Sequence, residues 1–256
     1  MQSLATQVLC APLGKTHLFS TGQAGFIVKS ASGFFFGIDL YLSDCVERIE
    51  GHDGFHRLLP KLLSPTDIEF DCIVATHPHF DHFDMDSILQ MMNNPRTRLF
   101  ASTNCRKEVE RLKMLPRNIS YVRPGDTSSV GDFHLQFTSC DHGMGAPDAV
   151  GLLLTVDNVR FFFTGDTCLH LDRVDEFLSL GKIDCLVAPI NGAFGNLNEL
   201  ECAQLADRIK PCITIPCHYG MFASHGGSPG VFISYMKRNI PSLKYQILTQ
   251  GEKITF

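Results

Sequence analysis

No basic run occurs anywhere in the chain, and positive charge is not in surplus: 22 Lys and Arg stand against 27 Asp and Glu, a net charge of -5. The electrostatic footprint of a nucleic-acid binder is therefore missing. No apolar run approaches the length of a bilayer span, so a membrane helix is not expected. The opening MQSLATQVLCAPLGK also lacks the charged start and long apolar core of a secretory leader, and a cytoplasmic location is the expectation. Ten cysteines are present without a CxxC pair; scattered in this way they predict reduced, mostly buried thiols rather than a disulfide framework. Linkers rich in Gly, Pro or Ser are absent too. Residues 1–256, 44% hydrophobic, thus read as a single domain with ample material for a core.

Against that plain background the segment ATHPHFDHFD, Ala75 to Asp84, directly follows the apolar Cys72-Ile73-Val74. Three histidines and two aspartates beside a buried strand are costly unless a positive centre organises them. Other candidates fall where strands end: His142 after the strand around Leu135 to Phe137, Asp166 after RFFFT, His218 after CITIP, and Asp39 after FFFGI. Loops that converge at one sheet edge are common places for active sites.

Two stretches share a layout. Ala24 to Asp39 and Val150 to Asp166 each read as a hairpin whose second strand is Phe-rich and ends in an aspartate. A matching strand follows each, Phe70 to Ala75 and Ile183 to Ala188, so the chain reads as two similar halves. Helical periodicity is expected over roughly Gly54 to Leu63, Asp84 to Met92, Asn104 to Leu115, Leu171 to Leu180, Glu199 to Ile209 and Gly230 to Asn239. Asn104 and Asn198 are suited to N-caps, and Pro116, Pro211 and Pro241 to stops. Two β-rich halves, each coated by helices on one face, predict an α/β (α+β type) chain in a four-layer αββα sandwich.

Within HxHxDH, His77 and His79 project to one side of an extended turn and are placed to grip one ion. Asp81 and His82, at the start of the next helix, reach a second. With His142 and His218 there are five imidazoles, and with Asp166 two carboxylates, the latter short and anionic as a bridge requires. Two cations about 4 Å apart activate water and polarise a substrate oxygen, the chemistry of a hydrolase. Nitrogen and carboxylate donors suit Zn, Mn or Fe. Asp39 is expected to orient His77 or His79 from behind. Asn191, Tyr219 and Ser224 are expected in the substrate pocket, while His17, His52, His56, His134 and His170 read as packed or surface residues. Cys140, Cys168 and Cys217, each within two residues of a candidate ligand, read as small fillers.

THPHFDH, CDH, FTGDT and PCHYGMF, in this order, resemble the metallo-β-lactamase superfamily from about Gly22 onward. The resemblance implies His77, His79 and His142 on one metal, Asp81, His82 and His218 on the other, and Asp166 between them. Glyoxalase II-like members would carry His-Thr-Pro-Gly where this chain has Cys140-Asp141-His142-Gly143, and flavodiiron proteins would replace His79 with glutamate. Pro189 to Phe222, APLGKTHLFSTGQAGFIVKS, LYLSD and DHFD are similar to the UlaG-type branch of L-ascorbate-6-phosphate lactonases. That branch implies two divalent ions, Mn in preference to Zn or Fe, and a small-molecule substrate. The expected reaction is opening of a lactone or cyclic ester such as a phosphorylated sugar lactone, with Asp81 or a metal-bound water relaying the proton to the leaving oxygen. A phosphodiesterase is the alternative, with Lys15, Arg106 and His225 as its only candidate phosphate clamp; a metal-holding regulatory protein without turnover is another. Apolar helix faces leave room for self-association.

Overall fold

The Phe triplets show how the sheets are buried. Phe161 and Phe163 point into one apolar layer while Phe162, between them, packs into another, as the two-residue period of a strand with both faces covered requires. The computed structural model, which describes residues 2–256, has thirteen strands: β1 (His17–Gly22), β2 (Gly25–Lys29), β3 (Phe35–Ile38), β4 (Cys72–Ala75), β5 (Arg98–Ser102), β6 (Ile119–Val122), β7 (Thr127–Val130), β8 (Phe133–Ser139), β9 (Val150–Val156), β10 (Val159–Phe163), β11 (Cys185–Pro189), β12 (Ile213–Cys217) and β13 (Lys253–Thr255). They form a seven-stranded sheet in the order β13-β1-β2-β3-β4-β5-β6 and a six-stranded sheet in the order β12-β11-β10-β9-β8-β7. In each sheet an antiparallel hairpin, β2–β3 or β9–β10, is continued by a parallel strand, β4 or β11.

Helices α1 (Leu4–Leu9), α2 (Cys45–Glu50), α3 (Ile88–Met91) and α4 (Arg106–Arg111) contribute Leu4, Val46, Ile88 and Val109 to a layer that includes Ile27 and Ile73 of the first sheet. On the far side, α5 (Val174–Leu178), α6 (Glu199–Ile209) and α7 (Pro229–Asn239) bring Val174, Leu205 and Phe232 against Phe162 and Leu186 of the second. Between the sheets, Phe26, Phe36 and Val74 meet Phe133, Leu152 and Phe163. The four αββα layers expected from the sequence are present. All ten cysteines are free, six of them buried, and none of the helices is long and apolar enough to cross a membrane among the described residues.

Helix α6 spans Glu199–Ile209 as expected, because Asn198 accepts from the backbone N–H of Leu200 and Glu201 while Glu201 closes the capping box. Four other segments differ. Residues 54–63 are not a helix: Gly54 sits at φ 85°, Leu58 N–H donates to the Met221 carbonyl, and Pro60 has no N–H for a helical ladder. Asp84 to Met92 is helical only over α3, since the Asp84 carboxylate takes the N–H groups of Asp86 and Ser87 in a turn. Asn104 does not cap α4; its side chain accepts from Asp148 N–H, and a 3-10 turn over Thr103–Cys105 leads into the helix. Residues 171–180 split into a 3-10 turn, Leu171–Arg173, and α5. In α7 Ser228 is the cap and Pro229 the first helical residue.

Candidate metal centre

Every candidate ligand lies just beyond a strand end. The loop after β4 carries His77, His79, Asp81 and His82; those after β8, β10 and β12 carry His142, Asp166 and His218. Asp81 and His82 are in a turn closed by His82 N–H and Phe83 N–H onto the His79 carbonyl, not at a helix start, since α3 begins only at Ile88. Asp84 anchors this turn, its Oδ2 accepting from Leu42 N–H and Ser43 N–H at 2.8 Å each.

The structure brings the seven side chains together. His77 Nε2 lies 2.9 Å and His142 Nε2 3.0 Å from His79 Nδ1. Beside this trio, His82 Nε2 is 3.2 Å from His218 Nε2, and Asp81 Oδ2 is 3.3 Å from His218 Nε2 and 3.7 Å from His82 Nε2. Asp166 Oδ2 faces both groups, 3.1 Å from His218, 3.4 Å from His82 and 3.8 Å from His142.

Electrostatics define what this cluster needs. Burial alone would push the Asp81 and Asp166 carboxyls upward, but the imidazoles of His82 and His218 hold both well below the ordinary carboxylate range. Burial likewise opposes protonation of His82 and His218, yet the facing carboxylates, Asp166 foremost, raise both, His218 to about 9. Burial lowers His77 and His79, and His142 to about 4. Two buried carboxylates thus demand positive charge, while a neighbouring trio of neutral imidazoles turns ring nitrogens on one another. Asp166 Oδ1 and His142 Nδ1 are sealed from solvent without a hydrogen-bond partner. An all-nitrogen-and-oxygen donor set of this kind fits divalent cations.

Behind the ligands, Asp39 takes a left-handed backbone conformation at φ 48°. Its Oδ1 accepts from Thr76 N–H at 2.8 Å; its Oδ2 accepts from Thr76 Oγ1–H at 2.7 Å and from His82 Nδ1–H at 2.9 Å. Asp39 therefore orients His82 directly and His77 only through Thr76, whose Oγ1 is 3.0 Å from His77 Nδ1. It does not touch His79, a correction to the expected pairing. Two supports were not apparent in the sequence. Gln23 Nε2 donates to Asp81 Oδ2 at 2.8 Å, and Asn196 Nδ2 donates to Asp166 Oδ2 at 2.7 Å. A weak signal existed for Gln23, which sits in the two-residue turn between β1 and β2.

The cluster forms the floor of a cleft of about 380 Å³. Asn191, Tyr219 and Ser224 do not line it. Asn191 is buried and its Nδ2 reaches the Ala193 carbonyl; Tyr219 turns its O–H to the Leu248 carbonyl on the other side of the β12 end; Ser224 packs on Gly54. Proximity to His218 in sequence misled, because β12 ends at Cys217 and His218 takes a left-handed backbone conformation at φ 63°, so the alternation of a strand does not carry on to Tyr219. Asn196 and His225 line the cleft instead. Of the other histidines, His17 is buried between Thr255 and the Pro12 carbonyl, His52 and His56 pair with Glu47 on the surface, His134 meets Ser129, and His170 lies 2.6 Å from Asp141. Cys140 donates its S–H to the Asp166 carbonyl and Cys217 packs between the sheets.

A family profile described as the beta-lactamase superfamily domain matches residues 41–219. The chain belongs to this family. Among curated relatives, a UPF0173 metal-dependent hydrolase of Polynucleobacter asymbioticus is 24% identical over 95% of this chain and 87% of its own length. One of Sulfolobus acidocaldarius is 27% identical over 77% of this chain and 86% of its own. In three dimensions the chain is similar to Igni18, described as a metallo hydrolase of Ignicoccus hospitalis, with a TM-score of 0.74 and 18% identity over 94% of this chain and 98% of that one.

Proposed function

We propose that this protein is a metal-dependent hydrolase with a dinuclear centre that opens a lactone or similar cyclic ester. The observation that carries this reading is the position of Asp166 Oδ2, within 3.8 Å of histidines from both ligand groups. His77, His79 and His142 would hold one divalent cation and Asp81, His82 and His218 the other, with Asp166 shared. Bound there, Mn, Zn or Fe supplies Lewis acidity and an activated water at neutral pH.

The chain's own groups do the rest. Asn196 fixes the shared carboxylate, and Gln23 holds Asp81 Oδ2 so that the carboxylate stays anionic and aimed along the floor of the cleft. Asp81, ionised and bordering the cleft, takes the proton released on attack and passes it to the leaving oxygen. A phosphodiesterase is disfavoured, since Lys15 is exposed elsewhere, Arg106 stacks over Tyr121, and only His225 of the three clamp candidates reaches the cleft. The reading also includes a small-molecule substrate rather than nucleic acid, a cytoplasmic setting, and kinship with the UlaG-type lactonases, whose Mn preference extends to this chain. Metal-depleted protein reloaded with Mn or Zn and offered a lactone panel, L-ascorbate-6-phosphate included, tests it. Ring opening that disappears in His77→Ala is expected; no ring opening with either metal fully bound would refute it.

A further inference from the structure

The cleft's floor and its mouth carry opposite chemistry. The floor is the polar cluster of candidate ligands, but the walls above it bring Phe55, Phe80 and Phe194 together with Val46, and the titratable groups beside them are His225, Glu50 and Glu108. Among the described residues no Lys or Arg lines the cleft. Glu50 is exposed, whereas Glu108 is half-buried and ion-paired with Arg111 of its own helix, Nη1 to Oε2 at 3.5 Å.

Phe194 is the unusual member. It is 57% exposed, although its ring is only 5.1 Å from that of His225 and 6.3 Å from that of Phe55. Its backbone lies at φ 55°, where Gly or Asn would sit with less strain. A large apolar side chain kept in a strained conformation at the mouth of a site points to a use for that side chain. The loop is also tied to the centre: Asn196, two residues on, holds Asp166, and Leu197 N–H donates to the Thr167 carbonyl at 2.9 Å. Phe194 therefore stands at a fixed height above the ligands.

We infer that Phe55, Phe80 and Phe194 form a subsite for an apolar acyl or aryl group carrying no negative charge, with Glu50 and Glu108 discriminating against anionic substrates. The subsite deepens the hydrolase reading and rests on it for the position of the reacting bond. Positive charge held at the floor would act on the ester carbonyl, whereas a distal phosphate or carboxylate would have to sit beside aromatic walls and two carboxylates, with Arg111 engaged by Glu108 and no Lys or Arg among the described residues lining the cleft to receive it. Specificity here comes from repulsion as much as from fit.

Binding separates this inference from the reaction itself. The chain has no Trp, so calorimetry on the Zn-loaded protein is the suitable readout, with a neutral, non-hydrolysable bicyclic aryl lactam and its ring-sulfonated counterpart as probes, sulfonate being a weak metal ligand. The neutral probe should bind about tenfold tighter than the sulfonated one, the scale of carboxylate repulsion across a partly solvated cleft. Phe194→Ala should weaken the neutral probe about tenfold, one aromatic contact's worth. The Glu50→Lys/Glu108→Lys double variant should reverse the charge preference. Equal or tighter binding of the sulfonated probe, or no response to Phe194→Ala, would overturn the subsite. Failure of lactone turnover with these affinities intact would remove the proposed reaction and leave the subsite standing.

Discussion

Replacing Asp39 by Asn tests the support of the centre with almost no change of shape. The native carboxylate accepts three hydrogen bonds, two from Thr76 and one from His82 Nδ1–H. Asn retains the Oδ1 acceptor for Thr76 N–H, but its NH₂ group occupies the Oδ2 position and donates where Oδ2 accepted. Both remaining contacts survive with reversed polarity, so the fold should hold within about 1 kcal/mol. His82 then has to accept at Nδ1, and its proton moves to Nε2, the atom that faces His218 and Asp166. A ring nitrogen carrying a proton is no longer a ligand. Loss of such a support weakens metal binding by about 10- to 100-fold, which is about 1.4 to 2.7 kcal/mol. Metal titration against a chromophoric chelator, with circular dichroism to monitor the fold, measures it. Asp39→Ala is less informative, because it strips three buried donors of their partner at about 1 to 3 kcal/mol each and threatens the fold. An Asp39→Asn protein with native metal affinity would refute the assignment of Asp39 as the residue that sets the His82 tautomer.

Three further outcomes follow from the same geometry. Asp81→Asn should lower kcat by roughly 10²- to 10⁴-fold while the fold is kept; steady-state kinetics on whichever lactone is turned over checks this, and full activity would rule out the proton relay. Metal-free protein should be most stable near pH 6.5. His218, raised to about 9 in the fold, contributes stability that is full below its unfolded value and is lost as pH rises through about 9, whereas His142, lowered to about 4, makes the fold lose stability as pH falls from its unfolded value toward 4. Loading with metal should abolish the alkaline decline, and thermal melts from pH 5 to 9 with and without metal decide it. Gly151→Ala should cost about 1 to 3 kcal/mol in urea unfolding, because the added Cβ would lie 2.5 Å from Thr138 Oγ1, 3.0 Å from the Thr164 carbonyl oxygen and 3.1 Å from that of Phe163; unchanged stability would show that the Thr138 side chain turns aside and β9 can shift away from β10.

Legibility in the sequence followed the range of the interaction. The Phe triplets, the strand-end placement of His77, His142, Asp166 and His218, and the Asn198 N-cap depend on a few consecutive residues, and these were readable. Residues 54–63 have an apolar pattern close to helical, but the bond from Leu58 N–H to Met221 joins segments more than 160 positions apart, and no local pattern encodes it. The same tertiary demand shortened α3, where Asp84 serves the loop at Leu42 and Ser43.

The centre itself divides along that line. Its donors are chemically conspicuous, since histidines and aspartates beside buried strands need a reason to be there. Asp39 stood out by its strand-end position, although its partner His82, 43 positions on, did not. The other groups that hold the donors are inconspicuous: Gln23 is 58 positions from Asp81 and Asn196 30 from Asp166. Each is an ordinary polar residue until the sheets stack. Four residues at or beside the centre, Gln23, Asp39, Phe194 and His218, also take positive φ without being glycine, and only Asp39 and His218 belong to residue types enriched in that region. Local preference would have placed Gly or Asn at several of these positions. The strain is held because His218 N–H donates to the Gln23 carbonyl at 2.8 Å, tying the β12 loop to the β1–β2 turn across the two sheets. The geometry of the candidate ligands is thus fixed by contacts between the halves of the sandwich, so substitutions at Gln23 should disturb metal affinity more than they disturb either sheet.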